Sequence, residues 1–346
     1  MAKLDALDEA LGRFATTGPE FGPGLSNHGP MATEALVALG RGDAVAKWTD
    51  AYIGRLAEHP RARNRIDESN WREALGEIGR AGDWIAFFDG DVRARPWREL
   101  IETWTTRLAP GLMAGATHGI LRTAHAVRTL AAGETPQRLH ELAEGLGYWA
   151  ARYQVLPGTP GVSGDMRVEQ AIESVPTVPA ERRQRGMIFD AVKAVDSVDF
   201  APAINLVAVG DGRDVVSGIT RTFVRHYLAN AQRASIPFIH TVTAPSALRM
   251  LTPHLSDEAG VVATRYAWQA CAAIYSAYGD VAPADTPRAD DAISFDEADL
   301  IEQAVAARDE HAIKFTEACL REYRLSSDPA FVAAARDVVV RLRRAG

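Results

Sequence analysis

The chain has 346 residues, 47% hydrophobic and 24% charged, with a formal net charge of −7, so a sizeable core is available. An acidic balance without a basic patch or a basic-aromatic run argues against a nucleic-acid partner. Two cysteines, Cys271 and Cys319, make neither a disulfide scaffold nor a metal-spacing motif, no apolar run reaches the ~18 residues of a membrane span, and Met1-Ala2-Lys3-Leu4-Asp5 lacks a signal peptide's basic and apolar segments.

The expectation is a cytoplasmic protein with no membrane association. Helical periodicity dominates and predicts an all-α fold: one mostly helical domain over 1–346 with few or no short strands. Residues 31–57 read as one helix, with Pro30 at its first turn and Leu36, Leu39, Val45, Trp48, Tyr52 and Leu56 forming much of an apolar stripe. Residues 68–80 read as a shorter helix. Helices are then expected over 97–108, 111–132 and 137–153, the last with Leu139, Leu142, Leu146 and Trp149 at helical spacing. Further helices fall at 181–195, 204–231, 246–251, 256–278, 297–320 and 329–344. Strand-like runs are few: 207–209, which interrupts the helix drawn over it, and 238–242, each equally readable as a buried extended loop. Two loops read as mobile, the Gly/Pro-rich 156–166 and the acidic, proline-bearing 282–292.

Four histidines are flanked mainly by small or apolar residues: His28, His118, His240 and His311, the last with Glu310 before it. His28 lies in the turn Asn27-His28-Gly29-Pro30 and reads equally as an ordinary helix-start residue. His118 follows Gly115-Ala116-Thr117, where the backbone can approach its neighbours closely; taken alone it reads as a hydrogen-bonded core histidine. His125 is seven residues on, ~10.5 Å along a helix axis, so at most one of the pair would bind an ion directly, the other lining a pocket. His240 ends the run Ile236-Pro237-Phe238-Ile239. His311 and Lys314 share a helix face at i,i+3. Lys314 is one of only four lysines against 34 arginines. A buried lysine becomes neutral where arginine cannot, and its amine can add carbon dioxide to give a carbamate, a hard oxygen ligand. A solvated surface lysine is the plain alternative. His59, His140, His226 and His254 lie among charges or at helix boundaries and read as surface or structural residues.

Competing signatures are missing: no His-Glu-x-x-His, no Gly-x-Ser-x-Gly, no phosphate loop and no complete dinucleotide fingerprint. Glu141-Leu142-Ala143-Glu144 carries a glutamate where a di-iron bundle would need histidine.

In order along the chain, Asn27-His28-Gly29-Pro30-Met31, the stretch from His118 to Ala126, the stretch from Glu141 to Ala150, the run Ile239-His240-Thr241-Val242-Thr243-Ala244 and Glu310-His311-Ala312-Ile313-Lys314 resemble the questin oxidase-like family. Each motif is weak alone; their ordered co-occurrence over nearly the whole chain carries the resemblance. It implies a mononuclear non-haem iron oxygenase that opens a ring of an aromatic polyketide-like or other quinoid substrate with dioxygen. The implied Fe(II) ligands are His28, His118, His240, His311 and a carboxylated Lys314. Many relatives carry a second histidine four residues after the one matching His118. Here that position is Arg122, with His125 three residues later. Arg122, His125, Tyr148 and Trp149 are the expected pocket residues, with core packing for Trp149 and a surface ion pair for Arg122 as plain alternatives. An external reductant such as NADPH and a homodimer belong to the same expectation. The rivals are a carbamylated-lysine zinc hydrolase and a non-enzymatic helical ligand-binding protein.

Overall fold

The structure, a computed structural model, describes residues 2–210, 213–280 and 295–343. The expected loop at 282–292 lies outside the described residues. Among them the protein is all-α apart from one two-stranded antiparallel sheet, Glu20–Phe21 with Leu25–Ser26. No helix among the described residues is long and apolar enough to cross a membrane. The sequence reads as one domain; the chain divides into two compact units, Met1–Val155 with Met250–Ala263, and Leu156–Arg249 with Thr264–Gly346.

The first unit holds α1 (Ala2–Phe14), α2 (Gly29–Ala38), α3 (Val45–Ile53), α4 (Ala81–Ala94), α5 (Trp97–Leu108), α6 (His118–Ala132) and α7 (Pro136–Ala151). Helix α7 packs against both α4 and α6. Its glycines allow this close approach. A Cβ at Gly145 would lie 2.9 Å from the Thr123 nitrogen of α6, and one at Gly147 would lie 2.9 Å from the Ile85 side chain of α4. Leu142, Leu146 and Trp149 fill the core between them. Thr135 caps α7 by accepting from the Arg138 amide, with Pro136 in the first turn.

Several expected helices are shorter or broken. The expected helix over 31–57 begins earlier and splits: Gly40 takes a φ of +82°, ending α2, and a 3-10 turn at Gly42–Ala44 leads into α3. The stretch 68–80 forms two 3-10 turns, Trp71–Ala74 and Ile78–Arg80, parted by Gly76 at a φ of +78°. Only glycine reaches these angles without strain. The helix expected from 111 starts at His118, because Gly115, Ala116 and Thr117 are all left-handed. Helices α1 and α4 have no counterpart among the expected elements.

The second unit holds α8 (Val168–Ala171), α9 (Ile188–Ala191), most of α10 (Arg213–Leu251) and α11 (Asp257–Tyr278), then α12 (Glu297–Ala307), α13 (Glu310–Ser326) and α14 (Pro329–Arg341). The expected helix over 181–195 reduces to α9 between 3-10 turns, with Gly186 at a φ of +130° before it. Helix α10 replaces the expected helices at 204–231 and 246–251 and the strand-like run at 238–242. It contains one non-helical residue, Ala234 (φ −143°, ψ 44°). Proline would clash with the carbonyl four residues back, so Pro237 forces the break and then sits in the first turn of the second half of α10. Glu322 of α13 ties both halves of α10 together: it accepts from Thr220 Oγ1 at 3.1 Å, Ser246 Oγ at 2.6 Å and the Arg249 guanidinium. The expected helix over 297–320 breaks at left-handed Arg308, and Asp309 caps α13. Val207 makes a single parallel bridge to Met166. The 156–166 loop is pinned: Ser163 Oγ donates to the Val207 carbonyl, and Arg265 Nη1 donates to the Gly161 carbonyl.

Candidate functional site

In the first unit, His28 is the residue before α2. The Asn27 side chain sets the turn, accepting from the Gly29 amide and donating to Thr17 Oγ1 and the Gly18 carbonyl. Gly29 is required, since a Cβ there would lie 2.4 Å from the Phe14 ring. The His28 amide donates to Tyr52 Oη at 2.8 Å. His118 opens α6 from the left-handed turn, and its Nδ1 donates to the Gly115 carbonyl at 2.5 Å. A carbonyl can only accept, so a proton sits on Nδ1, and Nε2 is the nitrogen left to offer a lone pair when the ring is neutral. The rings of His28 and His118 lie side by side, centroids 4.5 Å apart, and both are buried.

In the second unit, His240 lies on α10 beyond the break at Ala234, and His311 lies in the first turn of α13; their ring centroids are 6.0 Å apart. Asp309 accepts from the His311 and Ala312 amides and lies 3.6 Å from His311 Nδ1. Lys314 follows one turn later and is only 4% exposed. Burial drives its amine down to about 8, against the pull of Glu310 and Asp309. Asp309, Glu310 and His311 also converge closely enough to share an ion. Asp309 is not among the residues the sequence singles out; a helix-capping aspartate two residues before the histidine is its only signal.

The expected pocket residues are engaged in the core of the first unit. Arg122, 2% exposed, grips Glu141 through Nε at 2.6 Å and Nη2 at 2.8 Å, with Glu144 3.3 Å from Nη1. The ion pair that was the plain alternative for Arg122 is present, but it is buried rather than at the surface. His125 Nδ1 lies 2.5 Å from Glu34, which Arg128 also grips. Burial alone would raise the Glu34 carboxyl, but Arg128 and His125 hold it low. Tyr148 Oη donates to Glu20 at 2.8 Å and meets Ser26 Oγ at 2.7 Å; burial pushes the phenol well up. Trp149 donates to the Gly111 carbonyl and packs in the core.

Of the histidines that read as surface or structural residues, His59 and His140 are partly buried and His226 is buried. His59 and His140, both partly buried, flank the fully buried Glu144: His59 Nε2 is 2.8 Å and His140 Nε2 3.5 Å from Glu144 Oε1. Hydrogen bonds to Asp89 and Glu144 raise His140 to about 10. Burial would raise Glu144, but Arg122 and the two imidazoles hold it at about 2. His140 and Glu144 stand at i,i+4 on one helix face, a spacing visible in the sequence. His226 is 2% exposed, neither ring nitrogen has a hydrogen-bond partner among the described residues, and burial lowers it to about 4. It lines a cavity of about 610 Å³ with Thr222, Arg221, Arg225 and Tyr275.

The chain matches no known family model, and no curated protein is similar to it.

Proposed function

We propose that this protein is a cytoplasmic, mononuclear non-haem iron oxygenase acting on a hydroxylated aromatic or quinoid ring, with His28, His118, His240, His311 and a carbamylated Lys314 as the ligand set. One observation carries the reading: a lysine buried in an arginine-rich protein, one turn from a histidine, with its amine lowered to about 8. At that value a sizeable fraction is neutral near physiological pH. The neutral amine adds carbon dioxide, forming one N–C bond and releasing one proton, and so becomes an oxygen donor. Four neutral imidazoles with one hard oxygen suit a ferrous ion. The Gly115 carbonyl supports this by fixing the tautomer of His118, as outer-sphere partners of metal-bound histidines do. Bound there, iron would supply dioxygen activation for ring C–C cleavage; NADPH or a similar reductant and a homodimer are part of the proposal.

The protein's own residues hold the ligands in place. Asn27 sets the His28 turn, the left-handed turn sets His118, and Asp309 steadies His311. Arg122 and His125 on α6 and Tyr148 on α7 act as buried positioning residues, each already held by a carboxylate: Glu141, Glu34 and Glu20 in turn. The test is an anomalous-diffraction map at the iron edge, from crystals grown anaerobically with bicarbonate. Iron density on these imidazoles, with added density on Lys314 Nζ, is expected. Absorption at the zinc edge instead would favour a carbamylated-lysine hydrolase.

The cavity at His226 favours a second reading, a helical ligand-binding protein without catalysis. That reading predicts no stoichiometric metal and a thermal shift with small ligands that His226→Phe removes.

A further inference from the structure

The geometry points to a second metal site, separate from the proposed iron ligands: His59 Nε2, His140 Nε2 and Glu144 Oε1 form a three-donor site for a borderline divalent cation of the zinc type. All three residues belong to the first unit. Helix α7 presents His140 and Glu144 one turn apart on one face, as metal-binding helices do. His59 is delivered by a segment that residues 16–18 hold at 57, 58 and 59. Thr17 bridges Glu58, the Gly18 amide donates to the Ala57 carbonyl at 2.8 Å, and the His59 amide donates to the Thr16 carbonyl at 3.1 Å.

The three donor atoms all lie within 4.8 Å of one another. A tetrahedral ion with bonds near 2.0–2.1 Å needs donors about 3.3 Å apart. The observed 2.8 Å from His59 and 3.5 Å from His140 to Glu144 Oε1 bracket that separation.

An independent observation concerns the outer sphere. His140 Nδ1 lies 2.9 Å from Asp89 Oδ1 of α4. Once a metal displaces the Nε2 proton, this carboxylate–histidine pairing keeps the remaining proton on Nδ1 and holds Nε2 toward the ion. The far oxygen of Glu144 faces Arg122 Nη1 at 3.3 Å, which leaves Oε1 directed at the imidazoles. Glu144 is buried, while the His59 and His140 side chains are 29% and 28% exposed. An ion there would have a protein floor and a solvent side, with three protein ligands and one position for water. That is the form of open rather than closed zinc sites. None of the five proposed iron ligands takes part, so this site stands or falls independently of the iron.

The experiment is calorimetric titration of the chelator-stripped, full-length protein with Zn²⁺ alone, repeated with Co²⁺ to read its visible bands. One equivalent should bind at this site. His59→Gln should weaken it at least ~100-fold, and Asp89→Asn, which leaves all three ligands, about 10-fold. A protein carrying both His240→Ala and His311→Ala should retain it. Should His59→Gln prove misfolded by circular dichroism, His140→Gln is read in its place. Zinc binding unaffected by these substitutions, zinc binding lost in the double variant, or no zinc binding by the parent protein would each overturn the assignment. In that case the three residues are a hydrogen-bonded cluster only.

Discussion

The carbonyl of Gly115 holds His118 Nδ1 at 2.5 Å because three successive residues, Gly115, Ala116 and Thr117, turn left-handed. A Cβ at Gly115 would lie 2.6 Å from Tyr148 Oη. Gly115→Ala should therefore combine backbone strain with overpacking and cost about 2–4 kcal/mol in urea unfolding. Thr117→Gly should relieve strain by about 1 kcal/mol at most, while metal content falls if the turn exists to aim His118. A Thr117→Gly protein that is both less stable and fully metal-loaded would contradict this account of the turn.

Gly29 meets the Phe14 ring at 2.4 Å from its missing Cβ. Gly29→Ala should cost about 1–3 kcal/mol and displace His28. Shrinking the neighbour with Phe14→Leu should recover part of that loss. A double-mutant cycle measures the coupling; additive effects would show that the contact is not the cause.

Arg122 is buried against Glu141 and Glu144. Arg122→Met strands the buried Glu141 carboxylate, while Glu144 keeps its imidazole partners, and should destabilise the fold by about 3–5 kcal/mol, measured by denaturant unfolding. If Arg122 instead served as the anion partner of a substrate, stability would change little and KM would rise.

Lys314→Arg keeps the positive charge but removes carbamate chemistry. Iron content measured by mass spectrometry should fall to background in the purified variant. Full iron occupancy with normal turnover would exclude the carbamate. His240→Ala should lower iron content too, and unchanged content would remove it from the ligand set.

His226 is held at about 4 by burial, below the ordinary 6.5. The unfolded chain therefore binds this proton more readily than the folded one between those values. Stability should be fully present above pH 6.5 and fall as pH drops toward 4, by about 3 kcal/mol at most. His226→Phe should flatten this part of the acid limb, and at neutral pH it should be neutral or stabilising, because it removes an unpartnered buried imidazole. Chemical unfolding at neutral and mildly acidic pH compares the two proteins, and parallel acid limbs would refute the assignment.

Local periodicity was enough to reveal the all-α class and several elements nearly to the residue, including Trp97–Leu108, α7 and α11, because their apolar stripes repeat at the helical period without interruption. The burial of His28, His118, His240 and Lys314 was also hinted at locally, since a histidine or lysine among apolar neighbours is anomalous at a surface. Breaks were not legible where they depend on neighbours distant in sequence or on one residue's dihedral angles. Gly40, Gly76 and Arg308 look ordinary until their positive φ is seen, and the 238–242 run turned helical because Pro237 broke the chain ahead of it rather than within it. The roles of charged residues were decided by tertiary structure alone. Arg122 became a core ion pair and His125 a buried hydrogen-bonding residue because Glu141 and Glu34 were folded against them. His59 joined Glu144, 85 residues away, because a strand bridge and a helix face converge there. A side chain's local sequence sets its element, but its partners, and hence its charge state and chemistry, come from segments that only folding brings within a few ångströms.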